Sequence, residues 1–302
     1  MHLATTIRDG LTFTYETHGN PSDPAILLIM GLGMQLTSWP EIFCQGLVDE
    51  GYYVIRFDNR DCGLSSKLDH LGKPNLMFGY FQGLFGMPVS APYTLFDMAK
   101  DTIAILDAVG VKQAHIVGAS MGGMIAQIVA GKYPERVLSL TSIMSSSGRR
   151  GLPGPTPAAR AALMSRPPHR DNFEGVVQHY TRVYNAIGSP AYPTPPEVLA
   201  QRVAANLKRN VCRAGVARQF AAIGASGDRV KLLQGLRTPT LVIHGTADPL
   251  VPVEAGRDTA RLVPGAVLKE IEGMGHDFPA SLNDTLVQLI ASHCRDQSAL
   301  AA

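Results

Sequence analysis

Charge is scarce in this chain and nearly balanced. Asp, Glu, Lys and Arg make up 17% of the 302 residues, and 27 basic against 25 acidic side chains leave a net charge of +2. So small an excess excludes the whole-chain attraction on which nucleic-acid binding rests, and no nucleic-acid partner is expected. Apolar runs are short as well. None approaches the roughly 18 uninterrupted residues of a membrane span, so no membrane partner is expected. The opening stretch, Met1-His2-Leu3-Ala4-Thr5-Thr6-Ile7-Arg8-Asp9, lacks the basic segment and apolar run of a signal peptide, which makes a cytoplasmic location the expectation. Cysteine is sparse: Cys44, Cys62, Cys212 and Cys294 are scattered, without a CxxC pair or histidines at metal-ligand spacing. That excludes the common zinc motifs and predicts reduced, structural thiols. No internal repeat or low-complexity segment is present, and nothing in the sequence specifies an oligomeric state.

What the chain has is apolar material in short, punctuated runs. Hydrophobic residues reach 45%, enough for a sizeable core. Residues 3 to 18 alternate around Arg8-Asp9-Gly10 and predict an opening hairpin. The runs Ala25–Met30, Tyr53–Phe57, His115–Ala119, Val137–Met144, Thr240–His244 and Val267–Ile271 are too short for helices and read as buried strands. Helical spacing fills the intervals: Trp39–Glu50, Leu95–Val109, Met121–Tyr133, Val253–Leu262 and the carboxyl terminus. Strands separated by helices imply parallel pairing with both faces covered, an α/β fold with a doubly wound, mostly parallel sheet.

The rhythm breaks once. From residue 146 to 232 the periodicity is helical only, through Val176, Tyr180 and Val183, then Leu199, Val203 and Leu207, then Val216, Phe220 and Ile223. This segment reads as a helical cap inserted into a core made of residues 1–145 and 233–302. It carries 13 Lys and Arg against 4 Asp and Glu, a net +9, leaving the remainder at −7. The expectation is a helical surface whose arginines partly pair with the acidic body; a positive rim for anionic substrates is the sharper alternative. A second irregular stretch, residues 76–88, is rich in aromatic residues, methionine and glycine, and suits either a buried loop or an adaptable apolar wall of a pocket.

Between strand and helix stands Gly118-Ala119-Ser120-Met121-Gly122, the Gly-x-Ser-x-Gly form of a nucleophile elbow. Such a turn exposes the serine hydroxyl at the carboxyl edge of the sheet, beside a helix amino terminus that favours developing negative charge. A serine hydroxyl needs a histidine to take its proton and an acid to orient that histidine. Both must come from the same edge, from loops leaving the carboxyl ends of other strands. The loop after His244 contains Asp248 and the loop after Ile271 contains His276, in the chain order Ser, Asp, His expected of this arrangement.

With these residues in view, the chain resembles an α/β-hydrolase over nearly its full length. Its Ile29-Met30-Gly31 strand end, its Asp58-Asn59-Arg60-Asp61-Cys62-Gly63 loop and its Gly273-Met274-Gly275-His276 loop are similar to the aclacinomycin methylesterase-like carboxylesterases. The resemblance implies Ser120 as nucleophile, His276 as general base and then acid, and Asp248 as the orienting carboxylate. It implies an oxyanion hole from the backbone N–H groups of Met121 and Leu32, although many relatives carry His-Gly where this chain has Met30-Gly31. No cofactor and no metal are implied, and the partner is a small-molecule ester, small to medium and partly apolar. Met30, Phe78, Phe81, Phe85 and Met144 are candidates for the pocket wall. Perhydrolysis of the cofactor-free haloperoxidase kind, acyl transfer, or ligand binding without turnover are the alternatives. Four nearby groups are assigned structural parts: His244 as a satisfied strand-end histidine, Asp277 as facing away from its neighbour His276, and Asp58 and Arg60 as a loop-fixing ion pair. Ser65 and Ser145 to Ser147 lack the elbow context.

Overall fold

The computed structural model describes residues 2–76, 82, 87, 89–169 and 171–301. Phe78, Phe81 and Phe85 lie outside the described residues. Eight strands form one sheet among them: β1 (His2–Arg8), β2 (Leu11–His18), β3 (Ala25–Ile29), β4 (Tyr53–Phe57), β5 (Ala114–Ala119), β6 (Val137–Ile143), β7 (Thr240–Gly245) and β8 (Val267–Ile271). Their spatial order is β1-β2-β4-β3-β5-β6-β7-β8. The hairpin β1/β2 and the pair β2/β4 are antiparallel; every other pairing is parallel. The chain leaves β3 for β4 on one side and then crosses to β5 on the other, so strand order reverses between β3 and β5. In an open α/β sheet that reversal opens a crevice at the carboxyl ends of the strands, where ligands bind.

Alternation along each strand sends side chains to two separate cores. Leu27 and Ile29 join Ile55, Ile105, Ile116, Ile125 and Ile128 on one face, where α2 (Leu95–Ala108) and α3 (Met121–Lys132) pack. Ile26 and Leu28 join Val54, Val117, Phe43, Leu286 and Ile290 on the other, under α1 (Glu41–Asp49) and α10 (Asn283–Ala301). Each fully buried aliphatic side chain contributes roughly 2 kcal/mol, so the doubled core is the main stabilising term. Helix α2 begins where it does because Thr94 and Asp97 form a reciprocal capping box, which satisfies two otherwise orphaned N–H groups.

Between β6 and β7 the described residues form five helices and no strand: α4 (Pro157–Met164), α5 (Phe173–Ile187), α6 (Pro196–Arg209), α7 (Arg213–Ala225) and α8 (Val230–Gln234). Three arginines of this stretch reach the acidic body. Arg209 meets Asp58 at 2.7 Å, Arg218 meets Asp61 at 2.7 Å and Arg149 meets Asp258 at 3.2 Å. The first two acids lie on the polar loop after β4. Helix α9 (Val253–Leu262) then links β7 to β8.

Candidate active site

The elbow is a steric construction. Ser120 joins β5 to α3 at φ +55, ψ −121, a conformation that costs a non-glycine residue about 1–3 kcal/mol and is held only by its surroundings. Those surroundings are tight. A Cβ on Gly118 would stand 2.2 Å from the Gly122 carbonyl oxygen, and one on Gly122 would stand 2.0 Å from that of Ile29. Only glycine at both positions lets the helix settle against β3 and β5. The Ser120 N–H donates to Ile143 O at 2.9 Å, and the Ser145 hydroxyl donates to Ser120 O at 2.7 Å. Ser145 is therefore a support of the turn that sequence reading missed; its signal was its place just past β6, the strand beside β5.

Asp248 divides its carboxylate between two tasks. Oδ1 accepts the N–H groups of Leu250 and Val251 at 2.9 and 2.8 Å. Oδ2 lies 2.7 Å from His276 Nδ1, and the acid's side chain is wholly buried. A carboxylate on Nδ1 keeps the ring proton there, leaving Nε2 to accept. His276 Nε2 stands 3.0 Å from Ser120 Oγ. Three residues from three loops thus form one hydrogen-bonded chain, able to draw the proton from the serine hydroxyl and return it.

The histidine loop is gripped from the helical stretch. The His276 N–H donates to Ile187 O at 2.7 Å, Ala191 N–H donates to Gly273 O at 3.3 Å, and Gly275 N–H donates to Ser189 Oγ at 2.8 Å. The Ser189 hydroxyl in turn donates to Asp277. Asp277 is thus directed at Ser189, away from the imidazole of its neighbour, and burial raises its carboxyl above the usual range. His244 is fully buried, with Nε2 2.7 Å from Val251 O. Burial holds its imidazole below the ordinary value. It braces the loop that carries Asp248.

Leu32 lies in a turn closed by Met34 N–H to Gly31 O at 3.2 Å. Gly33 sits third in that turn at φ +67, the position where a type II turn demands glycine. Among the described residues, neither the Leu32 nor the Met121 N–H has a hydrogen-bond acceptor. Met121 opens α3, so its amide shares the positive end of the helix dipole. Met30 and Met144 are nearly wholly buried, in the core beside Trp39, Phe43, Ile243 and Met274. Asp58 and Arg60 do form ion pairs, but with remote partners and not with each other. Asp58 meets Arg209 of α6, and Arg60 grips both carboxylate oxygens of Asp101 on α2 at 2.6 and 2.7 Å.

Residues 24–279 match the family described as the alpha/beta hydrolase fold. Two curated relatives span almost the whole chain. Rhodomycin D methylesterase DnrP of Streptomyces peucetius is 30% identical, covering 95% of this chain and 96% of its own; rhodomycin D methylesterase DauP of Streptomyces sp. strain C5 gives the same identity and coverage. Among solved structures, the enol-lactonase from Burkholderia xenovorans LB400 superposes with a TM-score of 0.73 at 20% identity, covering 97% of this chain and all of that one. At that identity the likeness speaks for the fold. With its sheet order, its elbow and these matches taken together, the chain belongs to the α/β-hydrolase family.

Proposed function

We propose that this enzyme is a carboxylic ester hydrolase working through an acyl-serine intermediate on Ser120. The observation that carries the reading is the unbroken hydrogen-bonded chain Ser120–His276–Asp248, at 3.0 and 2.7 Å. In the proposed cycle His276 Nε2 takes the hydroxyl proton as Ser120 Oγ attacks the ester carbonyl. The N–H groups of Leu32 and Met121 receive the oxyanion, and His276 then protonates the departing alcohol. Water, giving a proton to the same imidazole, then attacks the acyl carbon; the bond to Ser120 Oγ breaks, the oxygen takes that proton back and the acid leaves. Asp248 holds the ring by its Nδ1 throughout.

The helical stretch between β6 and β7 serves in this reading as a cap over the sheet edge, supported by its contacts to the loops of Gly33 and His276. The substrate is a small-to-medium, partly apolar ester. The two methylesterase relatives make methyl esters of bulky acids the class to test first. An intact proton path favours turnover over binding alone. A cytoplasmic setting belongs to the reading too, supported by the scatter of the cysteines, three of them buried. The test is a panel of esters crossing acyl length with alcohol size, run on the wild type and on Ser120→Ala. The variant is expected to lose kcat by at least about 10⁴-fold; ester hydrolysis at the wild-type rate would overturn the assignment.

A further inference from the structure

The turn that presents Leu32 is not held by the core alone. Its Gly31 carbonyl is turned toward the Met34 N–H. Because a trans peptide is planar, that directs the Leu32 N–H the opposite way. Gly31 itself backs onto the nucleophile, since a Cβ there would lie 3.2 Å from Ser120 Cβ. Two side chains bracket the turn. From the core, Asn59 Nδ2 donates to Met30 O at 3.0 Å. From the helical insertion, Gln219 Oε1 accepts the Gly33 N–H at 2.8 Å while its Nε2 donates to Arg60 O at 2.7 Å. Gln219 is wholly buried, and its helix is fixed in register one residue earlier. There Arg218 Nε and Nη2 clamp Asp61 Oδ2 and Oδ1 at 2.8 and 2.7 Å, with both side chains fully buried. One turn of helix away, Val216 packs directly over Gly33.

We propose that Gln219 is a positioning residue for the hydrolysis described above, a reading on which this inference rests. By fixing the Leu32–Gly33 peptide from outside the core, it holds the preceding amide, the Leu32 N–H, where the oxyanion develops. The insertion is then part of the machinery that stabilises the tetrahedral intermediate, in addition to covering it. Loss of an oxyanion donor costs about 10² to 10³ in rate, so loosening one is expected to cost about tenfold or more.

The test measures kcat and KM on p-nitrophenyl butyrate, together with inhibition by a trifluoromethyl ketone whose hemiketal oxygen occupies the same hole. Gln219→Met keeps the length and loses the acceptor. It is expected to lower kcat at least about tenfold with KM within about twofold, and to weaken the ketone by the same factor as kcat/KM. Wild-type kcat and ketone affinity in Gln219→Met would overturn the proposal. So would a fall in kcat with ketone binding unchanged. Should Gln219→Met fail to fold, Gln219→Asn, whose shorter amide draws back from Gly33, takes the same measurements under the same criteria. Ser120→Ala separates the two levels: an active Ser120→Ala overturns both readings, whereas a silent one beside an unimpaired Gln219→Met overturns only this one.

Discussion

Asp248 shows how much one side chain can be asked to do. One of its oxygens is committed to the N–H groups of Leu250 and Val251, so only the other faces His276. An amide has one acceptor where the carboxylate has two. In Asp248→Asn either the loop loses its bonds or an N–H is presented to His276 Nδ1, forcing the ring into the tautomer that cannot accept from Ser120. The expected outcome is a fall in kcat of about 10⁴-fold with KM little changed, checked by steady-state kinetics. The sequence favours Asp248 over Asp277 because neighbours on a tight loop rarely face each other. What it could not show was why Asp277 is unavailable, namely its engagement by Ser189, some 90 residues away along the chain.

At the level of elements, helix α7 is the clearest case of a part whose place depends on one buried pair. Burial works against the charge of Asp61, yet Arg218, the Leu68 N–H and the Tyr93 hydroxyl together hold its carboxyl below the ordinary range. Removing the guanidinium leaves a buried carboxylate without its counter-charge. Arg218→Met is therefore expected to lower unfolding free energy by about 3–5 kcal/mol, read from urea unfolding, and Asp61→Asn added to it to restore part of the loss, because no buried charge then remains. The helical character of this stretch was legible in the spacing of Val216, Phe220 and Ile223, and of Val176 and Val183 before them. Helix α4 escaped the same reading. Half of it is Ala, its Leu163 and Met164 are exposed at its end, and Ala159 is its one fully buried residue, so it carries no buried stripe of large apolar side chains to announce it.

Across the whole molecule desolvation lowers several imidazoles, and this shapes its response to acid. His115 is wholly enclosed and burial pushes its imidazole down to about 4; burial also lowers His18, His244 and His293. Where the folded value lies below the unfolded one, the unfolded chain binds more protons, so stability rises with pH through that window. The stabilisation is complete above about 6.5, the unfolded value, and is lost as pH falls toward 4. For His115 the full interval amounts to about 3 kcal/mol. The thermal midpoint is accordingly expected to drop steadily between pH 6.5 and 4.5, and His115→Gln to flatten part of that slope. A midpoint constant across this range would contradict the lowering of these imidazoles by desolvation.

Local patterns were sufficient for the strands, for most helices and for the three residues at the sheet edge, because period-two and period-3.6 spacing and a glycine-flanked serine each follow from short-range sterics. Even the loops bearing Asp248 and His276 follow from strand ends alone. The contacts between the helical insertion and the core did not. Arg209 with Asp58, Gln219 with Gly33 and Ser189 with Gly275 join positions 86 to 186 residues apart, and nothing in the spacing of an arginine or a glutamine names its partner. Those pairings arise when two packed bodies meet, where distance and burial select one acid or one amide among many. The elbow was written in five residues, and the turn of Leu32 and Gly33 beside it is held by parts of the chain that only folding brings within reach.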